Sequence, residues 1–243
     1  MTFARVAVKA AVLLGTIAAG GSVVRGQVPS LPDLAIDAPR VRSSVTFQVK
    51  NFTRNDCAWV EGLLTGLGKR TLMRFDVSAA NVGTSDLFLG DPTRHPDLFT
   101  WSPCHRHYHF NGYASYELLD AAETTVLYGR KQAFCLEDFE VSSLTAGPAK
   151  YTCRNQGISV GWADTYGSYL DGQWLDVTGI APGNYTLRVI INPSDVALWQ
   201  AGSINPATMA LPAGSSAAQQ AMRESNYSNN TAVVSVSIPL KVK

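Results

Sequence analysis

Histidine and cysteine are scarce in this chain: there are four of each in 243 residues, and no two cysteines form a CxxC pair. That spacing excludes zinc ribbons and thioredoxin-like redox motifs. GxGxxG, P-loop and HExxH patterns are missing. The signatures of dinucleotide binding, phosphate cradling and the zincin proteases are therefore absent. Net charge is small too, since 20 basic and 19 acidic residues leave +1. There is no electrostatic footprint for nucleic acid and no acidic tail. Few windows keep a helical period for long, and no internal repeat is present. What remains is a chain with 46% hydrophobic residues, enough for a core of its own.

The first segment is not part of that core. Arg5 and Lys9 give a positive start, and Ala10 to Val24 runs 15 residues without charge around Val12-Leu13-Leu14 and Ile17. This is a signal-peptide pattern with cleavage between Ala19 and Gln27, and it falls short of the about 20 residues that span a bilayer. The expected organisation is a signal peptide over 1–27 and one domain over 28–243. The mature protein is expected outside the cytoplasm, in the periplasm or secreted, with no membrane span after cleavage. Export sets the reading of Cys57, Cys104, Cys135 and Cys153: in an oxidising compartment they form two disulfides, with three possible connectivities.

The mature chain reads as strands. Val45, Phe47 and Val49 alternate with polar neighbours, and so do Met73, Phe75 and Val77 before a turn at Asn81-Val82-Gly83. Tyr185, Leu187, Val189 and Ile191 repeat the pattern after Pro182-Gly183-Asn184, and Val234, Val236 and Ile238 close it. Period-two alternation bounded by Gly, Pro and Asn predicts half-buried antiparallel strands. The expected fold is an all-β antiparallel β-sandwich with long functional loops and little helix. Residues 141–163 and 194–222 read as loops, the latter an insertion between strands, and 215–224 as one short helix.

Three of the four histidines fall in Trp101-Ser102-Pro103-Cys104-His105-Arg106-His107-Tyr108-His109-Phe110. In an extended segment residues i, i+2 and i+4 share a face, so His105, His107 and His109 can present three imidazoles to one point. Imidazole suits zinc, copper, iron and nickel, and three ligands leave a coordination position open for chemistry. Cys104 has the opposite parity and is expected to face away.

These residues resemble the copper-binding segment of lysyl oxidases, and the resemblance continues in order along the chain. Tyr116-Glu117-Leu118-Leu119-Asp120 is followed by Lys131-Gln132-Ala133-Phe134-Cys135-Leu136-Glu137-Asp138 and Gln156-Gly157-Ile158-Ser159. Asp164-Thr165-Tyr166-Gly167, Gln173-Trp174-Leu175-Asp176 and Pro182-Gly183-Asn184-Tyr185 complete the run. An alternating histidine motif alone is a weak signal, whereas this ordered set, spanning about residues 32–238, is highly specific.

The resemblance implies that His105, His107 and His109 bind copper and that Lys131 and Tyr166 form a lysine tyrosylquinone cofactor. The activity implied is oxidation of a primary amine, free or on a lysine-containing protein, by molecular oxygen. The products are an aldehyde, ammonia and hydrogen peroxide. The ε-amine of Lys131 must be neutral to attack the oxidised ring, which a partly desolvated site favours. Asp164, two residues before Tyr166, is the candidate general base. The pairing implied is Cys57 with Cys104 and Cys135 with Cys153. Asp33, Glu224, Asn226, Asn229 and Asn230 are similar to segments that bind calcium in animal relatives, and their oxygen-rich side chains suit that ion; the bland reading is an Asn-rich turn tying the chain ends together. The chain departs from the animal pattern at Ser115, where those members have His, at Gly172, where they have Cys, and at Asn226, where they have Asp. No basic, proline-rich propeptide intervenes, so the resemblance is closer to a bacterial or archaeal secreted member and does not imply collagen or elastin as substrate. The alternative function is a non-catalytic secreted copper-binding β-sandwich, which would have no need of the Lys131–Tyr166 pair.

Overall fold

The computed structural model describes residues 30–133, 135–193 and 222–242, with backbone alone for 130–133. The expected signal peptide, Phe134 and nearly all of the 194–222 insertion lie outside the described residues. So does most of the helix expected over 215–224, whose last residues, 222–224, are not helical.

Fourteen strands and little else make up the described chain. They are β1 (Leu34–Ile36), β2 (Thr46–Phe52), β3 (Gly68–Arg74), β4 (Val77–Asn81), β5 (Leu87–Gly90), β6 (Phe99–Ser102), β7 (His107–Leu119), β8 (Thr125–Ala133), β9 (Glu140–Val141), β10 (Gln156–Ile158), β11 (Trp162–Tyr166), β12 (Trp174–Asp176), β13 (Gly183–Ile191) and β14 (Thr231–Ile238). Among the described residues, helix is confined to α1 (Ala38–Ser44), α2 (Cys57–Val60) and a 3-10 turn at Pro92–Arg94. The protein is all-β, and each strand pairing is antiparallel.

The layers come as four sheets rather than two continuous ones. Their orders are β1-β4-β11-β9, β10-β5, β12-β3-β2 and β14-β13-β7-β6, with β8 on β7 in the last. One hydrophobic cluster draws on all four, through Val77 and Tyr166, Leu87 and Ile158, Met73 and Leu175, and Phe110, Tyr116 and Leu187. The clearest period-two segment is β14, where Ala232, Val234, Val236 and Ile238 are buried and their neighbours exposed. Each such Val or Ile contributes about 1.5–3 kcal/mol on burial. Tyr116 meets Phe75 edge-on at 4.9 Å, and its hydroxyl donates to Gln173 Oε1 at 3.1 Å.

Two expectations are corrected. Met73, Phe75 and Val77 are all buried, yet they do not form one strand, because β3 ends at Arg74 and β4 starts at Val77 in a different sheet. The span 141–163 is not all loop, since it contains β10 and the start of β11. Helix α1 escaped notice because seven residues are too few to show a period. It is set instead by its ends, with Asp37 accepting from Arg40 N at 2.9 Å and Val41 as its one buried side chain.

The β12–β3 pair is pinned by Asp176, which is 5% exposed. Its Oδ2 accepts from Thr65 N at 3.0 Å and Arg70 Nε at 2.9 Å, and its Oδ1 from Thr178 Oγ1 at 2.6 Å. Burial raises its pKa, but the hydrogen bonds from Thr178, Thr65 and Arg70 outweigh burial and hold the carboxyl below its ordinary value. A depressed folded pKa stabilises above the unfolded value and is lost as pH falls through the folded one. Asp176→Asn is therefore expected to cost about 1.5–3 kcal/mol at neutral pH. The deficit should shrink below about pH 4, as read from urea unfolding at several pH values. A deficit independent of pH would contradict the charge assignment.

Candidate metal and cofactor centre

The three histidines converge, though not by strand alternation alone. Ser102 of β6 pairs with His107 of β7, and the four residues between them turn the chain. Arg106 takes a left-handed conformation at φ 60°, which costs a non-glycine residue about 1–2 kcal/mol. Its N–H donates to Ser102 O at 2.8 Å. His105 thus sits in the turn rather than on the strand, so the parity expectation holds only for His107 and His109. The turn brings His105 back to them. The ligand atoms of the three lie within 4.8 Å of one another, and the Nε2 atoms are shut off from solvent.

The turn is fastened from outside. Cys104 is bonded to Cys57, with Cα atoms 5.7 Å apart, which ties it to the first residue of α2. Glu61, just past α2, has Oε1 3.1 Å from His105 Nδ1. Asp171 Oδ2 lies 3.7 Å from His105 Nε2 and Asp171 Oδ1 3.6 Å from Lys50 Nζ. Sequence reasoning missed both carboxylates. The disulfide was the one signal that could have pointed to Glu61, because it docks α2 on the histidine turn.

Further along β7 the ladder to β8 shifts register between Phe110 and Ala114. Gly112, at φ 75°, supplies the left-handed residue that such a bulge needs. The bulge delivers Tyr113 to the core, with its ring 5.1 Å from that of Tyr166. On β11, period two puts Asp164 and Tyr166 on one face, and each is 2% exposed. The Tyr166 hydroxyl donates to Cys135 O at 3.1 Å and is within hydrogen-bonding reach of the Asp164 carboxyl. Burial pushes Asp164 well above the usual carboxylate range, and the contact with Tyr166 offsets only part of that. Burial, then the Asp164 charge, pushes the Tyr166 phenol well above its ordinary value. Among the described residues Asp164 Oδ2, Tyr113 Oη and Ser115 Oγ have no hydrogen-bond partner. Such atoms cost about 1–3 kcal/mol each.

Lys131 belongs to β8, where its backbone pairs with Ala114, the residue after Tyr113; its side chain lies outside the described residues. The segment that follows is clamped. Cys135 is bonded to Cys153, with Cα atoms 4.8 Å apart, and Leu136 N donates to the buried Gln156 Oε1 at 2.9 Å. Both disulfides are the pairs the resemblance implied.

At the chain ends, Glu224 Oε1 accepts from Asn192 Nδ2 at 2.7 Å and Asn230 Nδ2 at 2.8 Å, while Asn229 Nδ2 donates to Asp33 Oδ1 at 2.8 Å. Asn229 Oδ1 and Asn230 Oδ1 are buried without a hydrogen-bond partner among the described residues. Burial raises the Glu224 pKa against its hydrogen bonds. Asn226 does not join the cluster: its Oδ1 accepts from Ser228 N at 3.0 Å in an exposed turn. Asn192, unmarked in sequence, joins instead.

Comparison with known proteins agrees with this geometry. The family model described as lysyl oxidase matches residues 32–205. Protein-lysine 6-oxidase of Homo sapiens is 37% identical over 175 residues, covering 68% of this chain and 41% of the relative. Lysyl oxidase homolog 1 of Homo sapiens is 39% identical over 182 residues, covering 69% and 31%, and lysyl oxidase homolog 4 of the same species 35% over 188 residues, covering 72% and 24%. The matched segments are thus less than half the length of these relatives.

Three imidazoles with a position to spare predict one transition-metal ion per chain, with copper(II) held above zinc by the ordinary affinity order. Metal analysis after reconstitution and dialysis is expected to give about one copper per chain for the wild type and under about a tenth for His107→Ala. Wild-type retention by His107→Ala would overturn the ligand set.

Proposed function

Because the chain belongs to the lysyl oxidase family, we propose that it is an exported copper- and quinone-dependent amine oxidase. It converts primary amines, free or on lysine side chains, to aldehydes. In balance, a primary amine, molecular oxygen and water give an aldehyde, ammonia and hydrogen peroxide. The observation that carries this reading is the setting of Tyr166: fully buried, beside a buried carboxyl, and bonded to Cys135 in the segment that carries Lys131. A protein that merely holds copper has no use for that arrangement. Two disulfides fit an oxidising compartment.

The residues take these roles. His105, His107 and His109 hold copper, and the donor set fits, because three imidazoles suit that ion and leave a position open. Lys131 and Tyr166 are joined as the quinone, which when formed supplies the electron sink for amine oxidation. The sheet packing keeps water from the Tyr166 ring. Asp164, with its proton affinity raised by burial, takes the proton from the carbon next to the amine; a raised carboxyl pKa suits a base that works near neutral pH. Tyr113 packs its ring on Tyr166 and presents a buried hydroxyl to the same space.

Neither Tyr166 nor Lys131 is needed to hold copper. Tyr166→Phe and Lys131→Ala are expected to fold, keep wild-type copper and release no amine-dependent hydrogen peroxide. Peptide mass mapping of copper-loaded, aerated wild type should find Lys131 and Tyr166 in one covalently joined species. A wild type that binds copper with no joined species and no phenylhydrazine adduct would favour the non-catalytic copper protein. Amine oxidation by Tyr166→Phe at the wild-type rate would defeat the cofactor assignment.

The Glu224 cluster we assign to calcium. Two buried amide oxygens without donors, set against the carboxylates of Glu224 and Asp33, offer the oxygen ligands that ion takes. Ten millimolar calcium is expected to raise the melting temperature by about 3–8 °C, and Glu224→Gln to abolish the rise. No shift with calcium or chelator would leave the cluster a metal-free clasp of the chain ends.

A further inference from the structure

We propose that Glu61 is a positioning residue for the metal centre, holding His105 in the orientation and tautomer that present Nε2 to the ion. The inference rests on the copper reading above and concerns a carboxylate outside the ligand set. In a neutral imidazole one nitrogen carries the proton and the other the lone pair, and the partner of the first decides which is which. Glu61 Oε1 lies 3.1 Å from His105 Nδ1. A carboxylate is an acceptor only, so it draws the N–H to Nδ1 and leaves the lone pair on Nε2, where the Asp171 carboxylate at 3.7 Å lies beyond hydrogen-bond distance. The side chains of His105 and Glu61 are only 14% and 12% exposed, so water competes little for the bond.

The surrounding connections make the carboxylate rigid. Glu61 N donates to Cys57 O at 2.8 Å, and Cys57 is bonded through sulfur to Cys104, the neighbour of His105. The links from Glu61 to Cys57, to Cys104, to His105 and back to Glu61 form a closed ring. Ser102 braces it twice, donating from Oγ to Glu61 Oε1 at 2.7 Å and accepting at Oγ from His105 N at 3.1 Å. His107 and His109 are oriented by a regular strand. His105 sits on a turn that contains a left-handed residue, and it has this outer carboxylate in place of strand support. Carboxylates that accept from the second nitrogen of a ligating histidine fix the ring and raise its basicity, and losing one typically weakens metal binding about 10–100-fold.

The test compares wild type, Glu61→Ala and Glu61→Gln, each purified without metal. It measures copper(II) affinity by chelator competition, the frozen-solution EPR spectrum of the copper form, and the melting temperature of the metal-free form. Glu61→Ala is expected to bind copper about 10–100-fold more weakly with altered EPR splitting. Glu61→Gln keeps an acceptor oxygen but loses the charge, and is expected to fall between Glu61→Ala and wild type. Should Glu61→Ala not fold, Glu61→Gln decides, and affinity and spectrum equal to wild type would overturn the proposal. A variant that melts lower without metal yet binds copper as wild type does would show a purely structural link and overturn it too. If wild type itself takes up no copper, the copper reading falls and this inference with it; if wild type binds and Glu61→Ala binds equally, only the role of Glu61 falls.

Discussion

The site depends on β7 not running as one regular strand. Its first residues pair with β6, its later ones with β13, and β8 lies along both parts with a register shift between. A regular strand of 13 residues would send alternate side chains to two fixed faces throughout. The bulge at Gly112 breaks that rule at one point, so His107 and His109 join His105 at the turn while Tyr113 enters the core against Tyr166. One strand thereby carries two of the three clustered histidines and the ring that packs on Tyr166. The bulge leaves residues without a ladder partner, and that cost is borne by a strand otherwise held by three neighbours.

Around that strand, charge and polarity are buried with little compensation. Asp164, Tyr113 and Ser115 each carry a side-chain oxygen with no hydrogen bond among the described residues, in a core that is otherwise aliphatic and aromatic. The polar groups that serve only the fold are treated differently. Gln173 accepts from Tyr116 and donates to Phe75 O at 3.0 Å, Asp138 accepts from Ser159 N at 2.7 Å, and Asp176 is surrounded by donors. The contrast sorts the family-like segments. Gln173, Asp138 and Asp176 are satisfied and hold the scaffold, while Asp164, Tyr113 and Ser115 each leave a buried oxygen without a partner among the described residues.

The disulfides act on the same division. Cys57–Cys104 fixes the turn that has the least regular backbone in the site, and Cys135–Cys153 fixes the segment whose carbonyl receives the Tyr166 hydroxyl. Cys104 and Cys135 both lie outside the strands.

Much was legible without coordinates. Period two is a local property, so the alternation in 183–191 and 231–238 foretold β13 and β14, and three histidines in five residues foretold a cluster of imidazoles. Asp164 and Tyr166, two apart, had to share a face if extended. What needed the tertiary structure is what depends on distant pairing. His105 reaches its partners through a turn and not through alternation. Glu61 meets Ser102 across 41 residues, Asn192 meets Glu224 across 32, and Asn226 turns away although its neighbours converge. The break between β3 and β4 was hidden because both sides are buried. Periodicity reports which face of a segment is apolar, but which segments meet is set by the packing of four sheets on one core, and that sum over distant contacts cannot be read at any single position in the chain.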